Sequence, residues 1–407
     1  MAEHLSGLVA FIRYRNAIEG EIMKLKIFVL SIIALFTQFI YSAEVSADKA
    51  IADGAKWLSS MQKENGCFSQ EQFPGLTGLA LWALISTGDE AYKPNIDKAV
   101  EFLKTKVQPD GGIYSAVPGR KGGGLGTYNT AICLTALAET KRTDLTEIIL
   151  NARTYLAGSQ ISGDETFNGG FGYDKAAPRT YADLMNTHFV MEAMRRSQSY
   201  EDMRPAGQAK ADINWAAALE FAESLHNDEN AGDSAGGFAY SPADAKAGME
   251  KPAGKKAEDK KPEMTTKKPA NGEKIVMRSY GSITYAGLLA LVYCELEPTD
   301  PRVRSTLDWA SRHWTLEENP GVGDQGLYFF YNVIGRSLTA AGIKEIPVAG
   351  EEGKTINWSE ELIKKVDSLQ KEKGNWVNTN GRFWENDPVL STSYSILSLT
   401  FASGKAK

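Results

Sequence analysis

Apolar residues recur along the chain with helical spacing, and two kinds of segment alternate. In the first kind only one face is apolar, as in Ile51, Ala55, Leu58 and Met61, which is typical of a helix on the surface of a domain. The second kind has low polarity on nearly all sides, as in residues 79–84, which is typical of a helix buried all round. The alternation predicts an all-α protein made of outer and inner helices.

A glycine-rich turn closed by a bulky apolar residue links each outer helix to the next inner helix. In the first turn Gly66 supplies the positive φ that the chain reversal needs. Phe68 is expected to fill the seam to a neighbouring helix pair, contributing about 1.5–3 kcal/mol by burial. The other turns are Asp110-Gly111-Gly112-Ile113, Asn168-Gly169-Gly170-Phe171, Gly236-Gly237-Phe238, Gly326-Leu327-Tyr328 and Gly374-Asn375-Trp376.

Six helical hairpins follow from this pattern. The predicted outer helices are Lys49–Gln62, Asn95–Val107, Glu147–Gln160, Ile213–His226, Pro301–Trp314 and Trp358–Gln370. The predicted inner helices are Gly75–Thr87, Gly124–Glu139, Thr180–Met194, Ser279–Cys294, Phe329–Ala341 and Asp387–Ala402. Because one hairpin cannot bury both of its helices, the units must stack. Wholly buried inner helices favour a closed two-layered ring over an open solenoid that needs polar capping repeats.

The first 43 residues are expected to lie outside this ring. A basic segment that starts at Met23 precedes an apolar run over residues 27–41, and small residues follow at 42–43. This is the pattern of a secretory signal peptide. As a helix the run would span about 22 Å, which is short of the roughly 30 Å of a bilayer core. Residues 1–22 are then an upstream extension, and Met23 is the expected true start.

The mature protein is therefore predicted to comprise residues 44–407 as a single toroid domain. It is expected to work in the periplasm or outside the cell, without a stable membrane span after signal cleavage. An uncleaved N-terminal anchor is the alternative. Within the domain, residues 242–274 are rich in Lys and Pro and poor in apolar residues. This stretch is predicted to be a disordered surface insertion in the fourth repeat.

Composition excludes several classes of function. The chain has 407 residues and a net charge of -6, whereas a nucleic-acid binder usually carries a basic footprint. Three cysteines are too few and too scattered for a disulfide framework. Four histidines form no zinc-binding spacing. We therefore expect no nucleic-acid partner, no metal and no cofactor.

The repeat also resembles a known family. The pattern Trp57-Leu58-x-x-x-Gln62-x-x-x-Gly66-x-Phe68 is similar to the Q-W type repeat of squalene cyclases and protein prenyltransferase β subunits. Residues 370–376 resemble it too, and residues 155–171 resemble a stretched version. The resemblance covers residues 47–403 and implies an α6–α6 toroid with a central cavity that is often apolar.

The catalytic motifs of that family are missing here. Class II cyclases of the family protonate their substrate with Asp-x-Asp-Asp, and the nearest stretch here keeps one carboxylate, Asp183. The zinc ligands of the prenyltransferases are absent at residues 278–281, and Asn332 stands where their histidine would lie. We therefore expect a toroid that binds a ligand or partner at its central cavity. The alternatives are an isoprenoid-acting enzyme, either terpene cyclase or prenyltransferase-like, and a polysaccharide lyase. Whether the chain is catalytic stays open.

Candidate site residues cluster near the starts of the inner helices. In a ring of parallel inner helices the N-termini meet at one rim and attract anions. Basic residues that could bind a small anionic ligand there are Arg120 with Lys121, Arg179, Arg278 and Arg382. They could equally be independent solvated side chains.

A second set of candidates is aromatic or polar. Asp183 and His188 are a candidate proton-transfer pair, and Tyr331 is a candidate base for the lyase alternative. Candidate contacts to a small apolar or sugar ligand are Tyr181, Tyr285, Asn332, Arg336 and Trp384. The alternative for this set is ordinary seam packing with hydrogen-bonded tips.

Overall fold

The structure is a computed structural model that describes residues 47–117, 124–250 and 276–406. Six outer helices are found there: α1 (47–60), α3 (Lys93–Lys104), α5 (Thr146–Ala157), α7 (Trp215–Ser224), α9 (Pro301–Arg312) and α11 (Trp358–Ser368). The inner helices alternate with them: α2 (Pro74–Ser86), α4 (Gly126–Glu139), α6 (Leu184–Arg196), α8 (Gly281–Tyr293), α10 (Leu327–Ala340) and α12 (Pro388–Ala402). Every predicted helix is present, with ends that differ by a few residues.

The remaining regular elements are short strands and 3-10 helices. Strand β1 (Met249–Glu250) pairs with β2 (Val276–Met277), and β3 (Ile346–Pro347) pairs with β4 (Thr355–Ile356), both antiparallel. Short 3-10 helices cover Glu90–Tyr92, Thr143–Leu145, Gln198–Met203, Gly232–Ser234 and Arg382–Trp384.

The ring of inner helices closes. Each inner helix packs against the next one in the chain, and α12 returns to pack against α2. At this junction Thr400 Oγ1 donates to Ser86 Oγ at 3.2 Å. In the outer layer Gln370 Nε2 donates to the Ala50 carbonyl at 2.9 Å. The predicted all-α, α6–α6 toroid is therefore confirmed.

The turn glycines are required for two reasons. Gly169 has a φ of 84°, and an added Cβ would lie 1.9 Å from the Ala217 carbonyl oxygen of the next outer helix. Glycine thus allows both the left-handed backbone and the close approach of the next hairpin. The same approach to an outer-helix carbonyl recurs at Gly66, Gly111, Gly236 and Gly374.

The apolar residue of each turn is held by a threonine that sequence reasoning missed. The Phe68 amide donates to Thr77 Oγ1 at 3.0 Å, while the Phe68 side chain is fully buried. A threonine near the start of an inner helix has this role in five of the six hairpins. The other pairs are Ile113 with Thr130, Phe171 with Thr187, Phe238 with Thr284, and Trp376 with Thr392.

The fifth hairpin departs from the predicted turn. Helix α10 already begins at Leu327, so Leu327 and Tyr328 are helical rather than part of a turn. Gly326 is the residue before the helix, and an added Cβ would face the Phe383 ring at 3.2 Å instead of an outer-helix carbonyl. The predicted turn at residues 326–328 was wrong, because the sequence pattern of the other turns occurs here at the start of a helix.

Several predictions concern residues that lie outside the described part of the chain. These are the N-terminal extension and signal peptide (1–43), Arg120 with Lys121, and residues 251–274 of the insertion. The described beginning of the insertion, residues 242–250, forms turns and strand β1. Among the described residues, none of the helices combines the length and the apolar character needed to cross a bilayer.

Candidate functional site

A cavity opens where the six inner helices begin. It has a volume of about 270 Å³ and is lined by residues at or near the start of every inner helix. One apolar side chain from each helix illustrates the lining: Leu79, Ile132, Met185, Ile283, Phe329 and Leu390. We call this space the rim cavity. Because its wall combines all six repeats, it exists only in the closed ring.

Two strained aromatic residues lie at the mouth of the rim cavity. Phe383 and Trp384 have φ values of 58° and 66° and are 41% and 43% exposed. The Trp384 ring meets Phe73 edge-on, with centroids 4.4 Å apart. Bulky residues rarely adopt this backbone region, and such strain concentrates at binding sites and switches. Trp384 was a predicted ligand contact and does line the cavity, whereas Phe383 was missed.

Backbone amides at the starts of the inner helices already donate hydrogen bonds to side chains of the protein. The Gly75 amide donates to Asn129 Oδ1 at 2.9 Å, and the Ser282 amide donates to Asn319 Oδ1 at 2.8 Å. The Phe329 amide donates to Glu385 Oε1 at 2.8 Å. Fewer amide groups are therefore available to an anion than the predicted converging rim requires.

The three described arginines of that prediction do not line the rim cavity. Arg179 and Arg278 are exposed, and the exposed Arg382 packs over the Phe383 ring at 5.4 Å. Arg278 instead lines a separate polar cavity of about 500 Å³ beside Asp233 and His313. Among the described residues, the candidate cations are thus separate from the apolar lining.

Asp183 is a buried carboxylate behind the cavity wall. Its Oδ1 accepts the Asn186 amide at 2.7 Å and caps α6, while its Oδ2 accepts Asn186 Nδ2 at 2.8 Å. Burial raises the pKa of Asp183 to about 6, although the hydrogen bonds from Asn186 oppose this shift. A carboxyl group in this range can give or take a proton near neutral pH.

Glu385 is a second buried carboxylate, and it lines the cavity directly. It follows the strained aromatic pair and accepts hydrogen bonds from the Phe329 amide and from Asn378 Nδ2, both at 2.8 Å. Burial raises the pKa of Glu385, and these hydrogen bonds act in the opposite direction. Sequence reasoning missed it, since nothing in residues 376–387 marks that one acid as buried.

Tyrosines join Asp183 to the cavity. Tyr173 and Tyr240 both line the cavity, and their hydroxyl oxygens lie 2.7 Å apart. The charge of Asp183, added to burial, raises the pKa of Tyr173. The predicted contact Tyr181 stacks on Tyr173 from behind, with centroids 6.4 Å apart. Tyr285 is buried against Phe330 and does not line the rim cavity.

Below the cavity lies a group of polar residues from α6 and α10. His188, Asn332 and Arg336 are at most 1% exposed. The His188 and Phe329 rings are 6.0 Å apart, and Phe329 itself lines the cavity. These three predicted residues therefore lie together, one aromatic layer beneath the lining.

Asp183 and His188, the predicted proton-transfer pair, lie in different surroundings. Asp183 caps the start of α6 beside the wall, while His188 lies deeper, with its ring tilted against Phe189 at a centroid distance of 4.2 Å. Burial, aided by the positive charge of Arg336, lowers the pKa of His188 to about 3. A neutral imidazole in this position is a poor general base at neutral pH.

Tyr331 does not reach the cavity either. Its side chain is fully buried, and its hydroxyl donates to the Leu316 carbonyl at 2.6 Å. Burial raises the pKa of Tyr331 far above its ordinary value. This tyrosine holds the loop between α9 and α10, so the arrangement gives the lyase alternative no exposed base at residue 331. Within the described ranges, no group of three or more His, Cys, Asp and Glu side chains is placed to hold a metal ion.

Comparison of the sequence with protein-family models and with curated proteins found no match. Solved structures of similar fold include an inactive variant of the α-1,6-mannanase GH76A of Salegentibacter sp. HEL1_6 in complex with α-1,6-mannotriose. It is 14% identical with a TM-score of 0.56, over 88% of this chain and 98% of that chain.

The type II terpene cyclase MstE from Scytonema is also similar in fold. A variant in complex with its product, merosterolic acid A, is 12% identical with a TM-score of 0.53, over 90% of this chain and 99% of that chain. Another variant, in complex with the substrate geranylgeranyl dihydroxybenzoate, is 13% identical with a TM-score of 0.50, over the same shares. At such identities the likeness is one of fold, and it agrees with the closed α/α toroid.

Proposed function

We propose that this chain binds a small apolar ligand in the rim cavity. The observation that carries the proposal is the lining, in which every inner helix contributes an apolar side chain to one space. Its volume of about 270 Å³ lies just below the range of about 300–1,000 Å³ that is usual for small-molecule sites. Close-packed protein interiors keep few voids larger than a water molecule, so a space of this size is unusual.

The ligand is better described as apolar than as anionic. Helix starts that would attract an anion are capped by Asn129, Asn319 and Glu385. Two buried carboxylates, Asp183 and Glu385, lie at the wall or behind it, and they would repel a negative charge when ionised. The signal-peptide pattern of residues 23–43 supports binding in the periplasm or outside the cell. A protein partner is not implied by any of these features.

A neutral fluorescent probe tests the proposal. N-phenyl-1-naphthylamine should brighten on binding to the wild-type protein, and geraniol should displace it. Leu79→Trp fills the cavity and should weaken probe binding at least about tenfold. Leu219→Trp makes the same replacement on outer helix α7, where Leu219 is half-buried, and should leave binding unchanged. Equal binding by both variants, each shown to be folded by circular dichroism, would refute the proposal.

A second candidate is an enzyme that acts on an isoprenoid-type substrate. Asp183 favours it, because the pKa of this buried carboxyl, raised to about 6, suits proton transfer near neutral pH. The fold of a terpene cyclase bound to a geranylgeranyl substrate is similar. Incubation with geranylgeranyl dihydroxybenzoate should then give cyclic isomers by mass spectrometry, and Asp183→Asn should abolish them. Absence of any product from the wild-type protein would contradict the enzyme candidate and leave ligand binding as the proposed function.

A further inference from the structure

We infer that the polar group beneath the lining of the rim cavity recognises a carbonyl oxygen on the bound ligand, through donors on Arg336 and Asn332. This inference rests on the proposed binding function and adds the chemical class of the ligand. It describes an apolar molecule that carries a neutral carbonyl group, such as a ketone, an ester or a quinone.

Buried donors without acceptors carry the inference. Arg336 Nη1 donates to Asn332 Oδ1 at 3.0 Å, and Nη2 pairs with Glu192. Neither Arg336 Nε nor Asn332 Nδ2 has an acceptor within hydrogen-bonding distance among the described residues. The hydrogen bond from Arg336 fixes the orientation of the Asn332 amide, since only its oxygen can accept. The Asn332 atom without a partner is therefore the NH2 donor Nδ2. Buried polar groups in native proteins are nearly always paired, so two adjacent unmet donors indicate a missing acceptor.

His188 adds a third polar group at the same place. Both Arg336 and His188 lie against Phe189, with the guanidinium carbon 5.9 Å and the imidazole centroid 4.2 Å from the ring centroid. The ring nitrogens of His188 make no well-aligned hydrogen bond within the described part of the chain, but the backbone carbonyls of Leu184 and Met185 lie close enough to act on its pKa. Since a neutral imidazole has a single N–H and these two carbonyls act on it, His188 adds polarity beside the donors rather than a free donor.

Only one aromatic layer separates these donors from the ligand space. Phe329 lines the cavity on one side and lies 6.0 Å from the His188 ring on the other. Tyr394 also lines the cavity and packs on Phe329, with centroids 5.6 Å apart. Phe329 is half-buried rather than fully enclosed. The inference therefore requires the Phe329 ring to turn aside when the ligand oxygen meets the donors.

Charge balance selects a neutral acceptor. Arg336 is already paired with Glu192, which also contacts Arg196, and Arg196 in turn contacts Glu139. The exposed Lys141 also pairs with Glu139, at 3.6 Å, but beside the donors themselves Arg336 is neutralised by Glu192, which leaves no unbalanced charge there to attract a carboxylate. A carbonyl oxygen has two lone pairs and no donor, and it therefore matches adjacent N–H groups.

The test compares a ketone with an alkane of equal length. Displacement of N-phenyl-1-naphthylamine by 2-nonanone and by nonane gives the ratio of their dissociation constants for each protein. Asn332→Leu keeps the branching and the number of side-chain heavy atoms and removes the donor, so its preference for the ketone should fall about tenfold relative to wild type, with nonane affected far less. The matched control Asn230→Leu changes an exposed loop residue and should keep the wild-type ratio.

An unchanged ratio in Asn332→Leu would overturn the inference while probe binding still supported the proposed function. Failure of the wild-type protein to bind the probe, nonane and 2-nonanone would overturn both. A measurement on the wild type alone guards against a variant that does not fold. The carbonyl stretch of carbon-13-labelled 2-nonanone should move to lower frequency on binding, and a stretch typical of an apolar solvent would overturn the inference.

Discussion

Arg336 of α10 and Glu192 of α6 form an ion pair inside the ring, and both side chains are only 1% exposed. Tyr293 donates to Glu192 at 2.8 Å, and the Trp82 and Phe401 rings flank the neighbouring Arg196. Against the burial that would raise it, Arg336 and Arg196 hold the pKa of Glu192 below its usual value. An ionic network thus fills the ring at one end, and the rim cavity opens at the other.

Removal of one partner from this pair should be costly. Glu192→Leu leaves Arg336 charged, buried and unpaired, so the free energy of unfolding should fall by about 3–5 kcal/mol. The double variant with Arg336→Met should recover part of this loss, because no charge is stranded. Urea unfolding measures all three proteins. Glu351→Ala, which breaks an exposed pair with Lys354, is the control and should change stability by less than about 0.5 kcal/mol.

Stability should depend on pH through Asp183. The folded protein holds this proton up to a pH of about 6, whereas the unfolded chain releases it near pH 3.9. The folded state therefore binds more protons between these values, and the contribution of Asp183 to stability falls as the pH rises through this window.

Asp183→Asn should remove that dependence. Relative to wild type, the variant should gain stability between pH 4 and pH 7, by up to about 3 kcal/mol. Urea unfolding of both proteins at a series of pH values measures the gain. A difference that stays constant over this range would show that the Asp183 carboxyl titrates as it does in the unfolded chain.

The turn glycines should differ in their tolerance of alanine. At Gly169 a Cβ would meet the Ala217 carbonyl oxygen at 1.9 Å, whereas at Gly163 nothing lies within 4 Å. Both glycines have a positive φ. Gly163→Ala should therefore cost about 1–2 kcal/mol for the backbone alone, and Gly169→Ala should cost at least about 2 kcal/mol more. Thermal unfolding compares the two, and equal losses would mean that the hairpins do not pack this closely.

The strained backbone of Phe383 should lower the stability of the protein, while its side chain should strengthen ligand binding. Phe383→Gly relieves a left-handed backbone at φ 58°, which is worth up to about 1 kcal/mol. The loss of the aromatic side chain should at the same time weaken binding of the fluorescent probe. Met203→Ala, at an exposed residue outside the cavity lining, should change neither property. A less stable Phe383→Gly protein with full probe affinity would contradict a role for the strain in ligand binding.

Repetition made the fold predictable, because all six hairpins share the apolar period and five of them share the glycine turn. The degenerate fifth hairpin was misplaced because Leu327 and Tyr328 resemble a turn residue and its plug, while their helical backbone depends on the cap from Glu385. The threonines that hold the turn residues were missed because a residue such as Thr77, close to Gly75 and Gly78, looks like one more small packing residue.

The site was less predictable, because its residues meet through ring closure and not through sequence spacing. Asn332 and Arg336 were identified from their polarity on an inner helix, but their burial beneath Phe329 depends on contacts with α6. Glu192 offered a usable signal, since a charge on a helix buried on all sides must have a partner. The basic residues before the helices carried no such signal, and in the structure Arg179 and Arg382 are solvated at the surface.

Native mass spectrometry of the purified protein tests ligand binding in the rim cavity most directly. The wild-type protein should retain an apolar adduct that organic extraction removes and that returns when the extract is added back. The Leu219→Trp protein should behave like wild type, and the Leu79→Trp protein should carry no adduct. An adduct that survives on Leu79→Trp at the wild-type level would place the ligand elsewhere and contradict the account.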